Sequence, residues 1–136
     1  MCMSCLRQFA GFALPLTLAC APVAALATDP PVEIPLDKPI FTVTYGCDSG
    51  QTIVVRYDNS NAEKPTARLE YKDRTFKLYN VISGSGARYA TEQGLAPDKG
   101  LQWWTKGDGA TLSEMLMDHT APEPTLIETC RAKSAE

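Results

Sequence analysis

The sequence predicts an all-β domain: a small antiparallel barrel or sandwich of eight short strands, joined by one disulfide. Three observations carry that prediction. Beyond residue 40 the apolar residues recur with a period of two, in short runs rich in β-branched and aromatic side chains. Turn-forming residues interrupt these runs at roughly ten-residue spacing, with no long helical pattern between them. And one pair of cysteines, Cys47 and Cys130, brackets the region.

The chain opens with Met1-Cys2-Met3-Ser4-Cys5-Leu6-Arg7, followed by an apolar stretch from Phe9 to Ala19. One positive charge ahead of a short apolar core is the pattern of a signal peptide. The core is interrupted by Pro15, and its roughly 11 residues fall well short of the roughly 20 needed to span a bilayer as a helix. Residues 1–27 therefore read as an export signal. Ala25-Leu26-Ala27 offers the small residues a signal peptidase requires, which would release a soluble periplasmic protein starting near Thr28. A second exit is Thr17-Leu18-Ala19-Cys20, which resembles a lipoprotein box and makes Cys20 the candidate lipidation site of an outer-membrane lipoprotein. Membrane attachment is expected only through that cysteine.

Cys2, Cys5 and Cys20 lie inside the exported segment, so the soluble product keeps Cys47 and Cys130 alone. An even pair in an oxidising compartment reads as a disulfide. Closing a loop of roughly 80 residues stabilises a fold by ~4–5 kcal/mol in the chain-entropy model, a large share of a small domain's stability. A metal site is not expected: His119 is the single histidine, and no Cys-x-x-Cys follows the signal.

All basic residues but Arg7 and all acidic residues lie beyond the signal, giving 12 basic against 16 acidic side chains and a net charge of −4. Such a balance argues against a nucleic-acid partner. Residues 28–39 contain four prolines, which disfavour helix and central strand alike, so they read as a leader or linker.

The strands follow in order. Phe41–Tyr45 alternates, Cys47-Asp48-Ser49-Gly50 supplies a turn, and Gln51–Tyr57 resumes before the turn Asp58–Asn61. Ala67–Tyr71 and Thr75–Tyr79 flank Lys72-Asp73-Arg74 as a hairpin. Its register would set Leu69 and Tyr71 on the same side as Phe76 and Leu78. This hairpin lacks the Asn-Gly or Asp-Gly often found at tight turns. Gly86–Ala90, Leu101–Thr105, Gly109–Met117 and Leu126–Cys130 complete the set. Leu112–Met117 could pass for a helical turn, and we favour strand. With Cys47 ending the first strand and Cys130 the last, a barrel brings the two together at its seam and leaves no exposed strand edge. The domain is thus expected over 40–131, with 132–136 as a tail.

Catalytic patterns are poorly formed. Gly84-Ser85-Gly86 lacks the full nucleophile-elbow pattern. A Ser85–His119–Asp118 set requires two adjacent side chains that would point to opposite faces of a strand. No phosphate-binding loop and no dinucleotide fingerprint is present. Two segments are distinctive instead. Ser83-Gly84-Ser85-Gly86-Ala87-Arg88-Tyr89 permits a tight turn that leaves a hydroxyl uncovered. In Trp103-Trp104-Thr105-Lys106-Gly107-Asp108-Gly109-Ala110, one indole can enter the core while its neighbour covers an outer face, with Lys106 at the mouth of a turn.

These motifs, in this order, with Tyr45-x-Cys47 ahead and Cys130 behind, resemble the MliC/PliC family of bacterial inhibitors of c-type lysozyme, from about Phe41 to Cys130. The link Thr91–Gly100 between them is long for that pattern. The resemblance implies an eight-stranded antiparallel barrel with a disulfide, no enzymatic activity, no cofactor, and c-type lysozyme as the protein partner. It also implies that Ser85 and Lys106 meet the catalytic carboxylates of lysozyme, with Arg88 and Tyr89 supporting the Ser85 loop. Lysozymes of this type are basic, so the acidic domain would be drawn to its partner. The competing reading is an envelope barrel that binds a small ligand or glycan, with Trp103 and Trp104 as a stacking platform.

Overall fold

The computed structural model describes residues 30–116 and 123–136. Eight strands appear in chain order: β1 (Ile40–Cys47), β2 (Thr52–Asp58), β3 (Thr66–Tyr71), β4 (Arg74–Val81), β5 (Ala87–Thr91), β6 (Lys99–Lys106), β7 (Gly109–Leu116) and β8 (Thr125–Ala135). Each pairs antiparallel with the next, and β8 pairs with β1, so the sheet closes into a barrel as expected. Closure buries the apolar face of every period-two strand and leaves no edge unpaired, as an open small sheet would.

Alternation places the core. Val43 and Tyr45 of β1, Ile53 and Val55 of β2, Leu69 of β3 and Leu78 of β4 all point inward and are fully buried. The β3–β4 register sets Leu69 opposite Phe76 and Ala67 opposite Leu78, so this hairpin buries the side its sequence indicated. Its connection is tighter than Lys72-Asp73-Arg74, since Arg74 already belongs to β4. The loop is Lys72 and Asp73 alone, both with positive φ (49° and 60°). Two left-handed residues match the twist of the flanking strands. The hairpin takes that turn without glycine because its two buried faces dictate the register. Leu112 sits within β7, so the ambiguous stretch is strand as far as Leu116; Met117 lies outside the described residues.

The cysteines meet at the seam. Cys47 and Cys130 face each other across β1 and β8 and form the disulfide. Cys47 ends its strand, but Cys130 does not: β8 runs on to Ala135. Residues 132–135 are therefore wall rather than tail, with Ala132 buried and Thr42 and Glu136 exchanging backbone hydrogen bonds of 2.7 and 2.8 Å. Their polar sequence conceals this because Lys133 and Ser134 both face solvent across an irregularity in the β1–β8 register, leaving Ala132 and Ala135 to mark the inner side.

One end of the barrel gathers the start of β1, the 59–65, 82–86 and 107–108 connections, and the leader. Here the Pro-rich leader is partly docked: Val32 and Ile34 pack against the core, and the Asn59 N–H donates to the Pro39 carbonyl at 2.6 Å. The other end holds the 48–51 turn, the 72–73 turn and the 92–98 connection. Within that second group lies Glu128, 5% exposed, whose carboxylate accepts from Ser49 Oγ at 2.7 Å and from the Tyr71 hydroxyl at 2.8 Å. Burial first, and then the bond to Glu128, push the Tyr71 phenol up to about 12.

Candidate functional site

The two distinctive motifs come together across one strand pair. In the β5–β6 register Arg88 faces Trp104 and Tyr89 faces Trp103, so the end of the first motif is paired with the start of the second. Alternation then divides them between two faces.

The inner face carries Trp103 and Tyr89. Trp103 is 0% exposed; its Nε1–H donates to the Tyr57 hydroxyl at 2.8 Å, which in turn shares a 2.8 Å hydrogen bond with the Tyr45 hydroxyl. The Trp103 and Tyr45 rings meet edge to face at 5.0 Å. Burial pushes the Tyr45 phenol up to about 12, an effect the Tyr57 bond partly offsets, and burial raises Tyr57 as well. Tyr89 is buried beside Tyr57, their centroids 5.6 Å apart. A cavity of about 320 Å³ lies next to these rings, bounded by Tyr89 and Tyr57 within, by Ile34 and Leu36 of the leader, by Gly86 of the 82–86 loop and by Thr105 of β6. Tyr89 and Gly86 of the Ser85 loop thus line the same cavity.

The outer face carries Arg88, Trp104 and Lys106. The Lys106 ammonium rests over the Trp104 ring at 5.0 Å from its centroid, and the Arg88 guanidinium lies over the same ring at 5.6 Å. Arg88 Nη2 donates to the Ile82 carbonyl at 3.0 Å, holding the start of the loop, while its Nε is buried without a hydrogen-bond partner among the described residues. Trp104 Nε1 donates to the Ser85 carbonyl at 2.9 Å, holding the loop's end, and Ser83 Oγ donates to that same oxygen at 2.6 Å. Gly86 closes the loop at φ 65°, packed so tightly that an added Cβ would overlap the Thr105 carbonyl oxygen. Only glycine combines that φ with that approach.

Ser85 and Lys106 are both exposed on this end of the barrel. Asp108, in the turn after Lys106, is paired with Arg131 at 2.7 Å, so its charge is engaged away from the lysine. The long link between the motifs is the 92–98 connection, at the opposite end. It is held there by Arg74, which donates to the Gly94 and Leu95 carbonyls at 3.1 and 3.2 Å. It does not stand between the Ser85 loop and Lys106.

The other expectations separate clearly. Trp103 is enclosed, so it cannot form a stacking platform with Trp104. Asp118 and His119 lie outside the described residues, as do Cys20 and the whole 1–27 segment. Among the described residues no cluster of three or more His, Cys, Asp or Glu side chains is placed to hold a metal ion. Sequence reasoning under-read two positions. Trp104 was assigned only to cover an outer face, although period two already puts it beside Lys106. Ile82, at the foot of the loop and 96% exposed, carried no signal because its neighbourhood looks like the end of a strand.

Comparison with known proteins agrees with this architecture. The family model described as membrane-bound lysozyme-inhibitor of c-type lysozyme matches residues 45–120. A protein of Cupriavidus necator named membrane-bound lysozyme inhibitor of C-type lysozyme is 31% identical over 132 residues, covering 96% of this chain and 94% of the relative. One of the same name from Pseudomonas aeruginosa is 35% identical over 108 residues, covering 75% of this chain and 74% of the relative. A β-barrel sequence with this motif order, matched by the family model over more than half its length and by a relative over nearly all of it, belongs to the MliC family.

Proposed function

We propose that the domain is a non-enzymatic inhibitor of c-type lysozyme, which presents Ser85 and Lys106 from one barrel end into the enzyme's active-site cleft. The observation that carries this reading is the joint exposure of these two side chains on a single scaffold, tied together through β5, β6 and the indole between them. The relatives' names supply the partner.

The chemistry is complementary. Lysozyme cleaves glycan with one carboxylic acid as proton donor and one carboxylate as nucleophile or stabiliser. An ammonium beside the carboxylate pairs with its charge, and a serine hydroxyl can donate to one carboxyl while accepting from the protonated other. Closure of the cleft strengthens both contacts provided every charge finds a partner. The glycan is then excluded by occupancy. Arg88 and Tyr89 act on the loop from its two sides, the first through Ile82 and the second from within the barrel. The inhibitor would work in the envelope, either as a soluble periplasmic protein or held by a lipid on Cys20.

The test is lysis of a cell-wall suspension by c-type lysozyme, with and without excess mature domain. Protection by the parent, and weaker protection by Ser85→Ala and Lys106→Ala at unchanged thermal stability, is the expected result. Each substitution should cost about 1.5–3 kcal/mol of binding, or roughly ten- to hundredfold in affinity. Undiminished lysis with the parent overturns the function, and full protection by both variants overturns the contact. The intact mass of the protein isolated from native envelopes distinguishes a start at Thr28 from diacylation at Cys20.

A further inference from the structure

We propose that Trp104 is the positioning residue that sets Ser85 and Lys106 in one fixed relation, so that the two contacts are delivered to the partner as a unit. The inference rests on the inhibitory reading above and adds to it a residue that touches neither carboxylate. Two independent interactions converge on one indole. Its Nε1–H fixes the backbone of the glycine-flanked loop at the Ser85 carbonyl, and its ring carries the Lys106 ammonium 5.0 Å from the centroid. The Arg88 guanidinium lies over the same ring and reaches the loop's first carbonyl, at Ile82. Each end of the 82–86 loop is therefore tied to the Trp104 ring, one directly and one through Arg88.

The physical need for such a part is entropic. Gly84 and Gly86 give the loop backbone more freedom than other residues would, and a lysine stem carries up to about 2 kcal/mol of rotamer entropy. Ordering both on docking would subtract from affinity, whereas a loop and an ammonium already held in place dock with less loss. Position in the fold favours Trp104 for this task. It precedes Lys106 by two residues and so shares its face of β6, and it faces Arg88 across the β5–β6 ladder. Trp103, one residue earlier, points inward and can do none of this.

The experiment compares the parent with Trp104→Leu, which removes ring and donor, and Trp104→Phe, which removes the donor and keeps a ring. Trp103 is then the only indole, and its emission reports whether the core is native. Expected is about a tenfold weaker inhibition constant for Trp104→Leu, partial rescue by Trp104→Phe, and native Trp103 emission in both. Ser85→Ala and Lys106→Ala should each cost less in the Trp104→Leu background than in the parent, because the unit is already loosened. Proton NMR of the free protein adds a measurement made without lysozyme: the Lys106 side-chain methylenes, shifted upfield by the indole in the parent, should return to ordinary values in Trp104→Leu. Parental inhibition by a natively folded Trp104→Leu protein, while Ser85→Ala and Lys106→Ala are impaired, overturns this proposal alone. So does strict additivity of the three substitutions, or an unshifted Lys106 in the parent. Full inhibition by both Ser85→Ala and Lys106→Ala overturns the contact reading, and this proposal with it.

Discussion

Trp103 and Trp104 are the same amino acid at adjacent positions, yet one belongs to the core of the barrel and the other to the outer face that carries Lys106. Trp103 is enclosed, its one donor spent on Tyr57 and its ring against Tyr45. Trp104 is half-buried, its donor spent on a loop carbonyl and its ring beneath two cations. The difference arises entirely from the strand's period of two, which sends consecutive side chains to opposite faces. Residue type does not assign a role here; parity along β6 does.

That contrast can be broken in several ways. The largest expected effect is on the inner side. Trp103→Ala should cost about 3–5 kcal/mol of folding stability in urea titrations, through a large cavity and the loss of one of the two hydrogen bonds on the Tyr57 hydroxyl. Trp104→Ala should cost no more than about 1 kcal/mol. Equal losses for the two would mean that the faces are not distinct.

Next comes the alkaline response of the inner network. Burial pushes the Tyr45 phenol up to about 12 from its ordinary value of 10.0. A raised folded value means that its contribution is whole below pH 10, shrinks as pH climbs beyond that, and is gone above pH 12, a change of about 3 kcal/mol for such a group. The melting temperature should therefore fall steeply between pH 10 and 12, and Tyr45→Phe should flatten that slope. A flat parental curve across this window would contradict the buried phenol network.

A smaller effect than either inner-face change is expected at the loop. Gly86→Ala should lose about 1–2 kcal/mol of stability, because alanine is strained at φ 65° and its Cβ meets the Thr105 carbonyl. Inhibition should weaken with it, since the loop has to leave its seat on β6. Gly84→Ala is the matched control for stability: a Cβ there meets nothing within 4 Å, and the unfolding free energy should stay near the parental value. If the two substitutions behave alike, the loop is not anchored at Gly86.

Much of the fold was legible because its signals are local. Alternation in Phe41–Tyr45 or Thr75–Tyr79 names its own inner face, and the two cysteines flank the region they close. The hairpin at Lys72–Asp73 was located but not its turn, since nothing in Lys-Asp advertises two left-handed residues. Residues 132–135 were misread, and the docking of the leader was not foreseen, for a related reason. Proline and polar composition predict a segment's freedom when alone, whereas Val32, Ile34 and Ala132 acquire their roles only when a barrel is present to receive them. Of the candidate site, Ser85 and Lys106 came from motif order. The indole beside them did not, because a hydrogen bond between residues 85 and 104 depends on which strands lie side by side.

The sequence by itself determined the β class, the inward and outward sets along each strand, the cysteine pair and the two motifs, all of which follow from spacing and side-chain chemistry within a few residues. Only the tertiary structure decided that β8 seals against β1 beyond Cys130, that the leader docks on the barrel end, and that one indole holds both the Ser85 loop and Lys106. Those are contacts between distant segments. Their geometry is set by strand register and barrel closure, which no local pattern encodes.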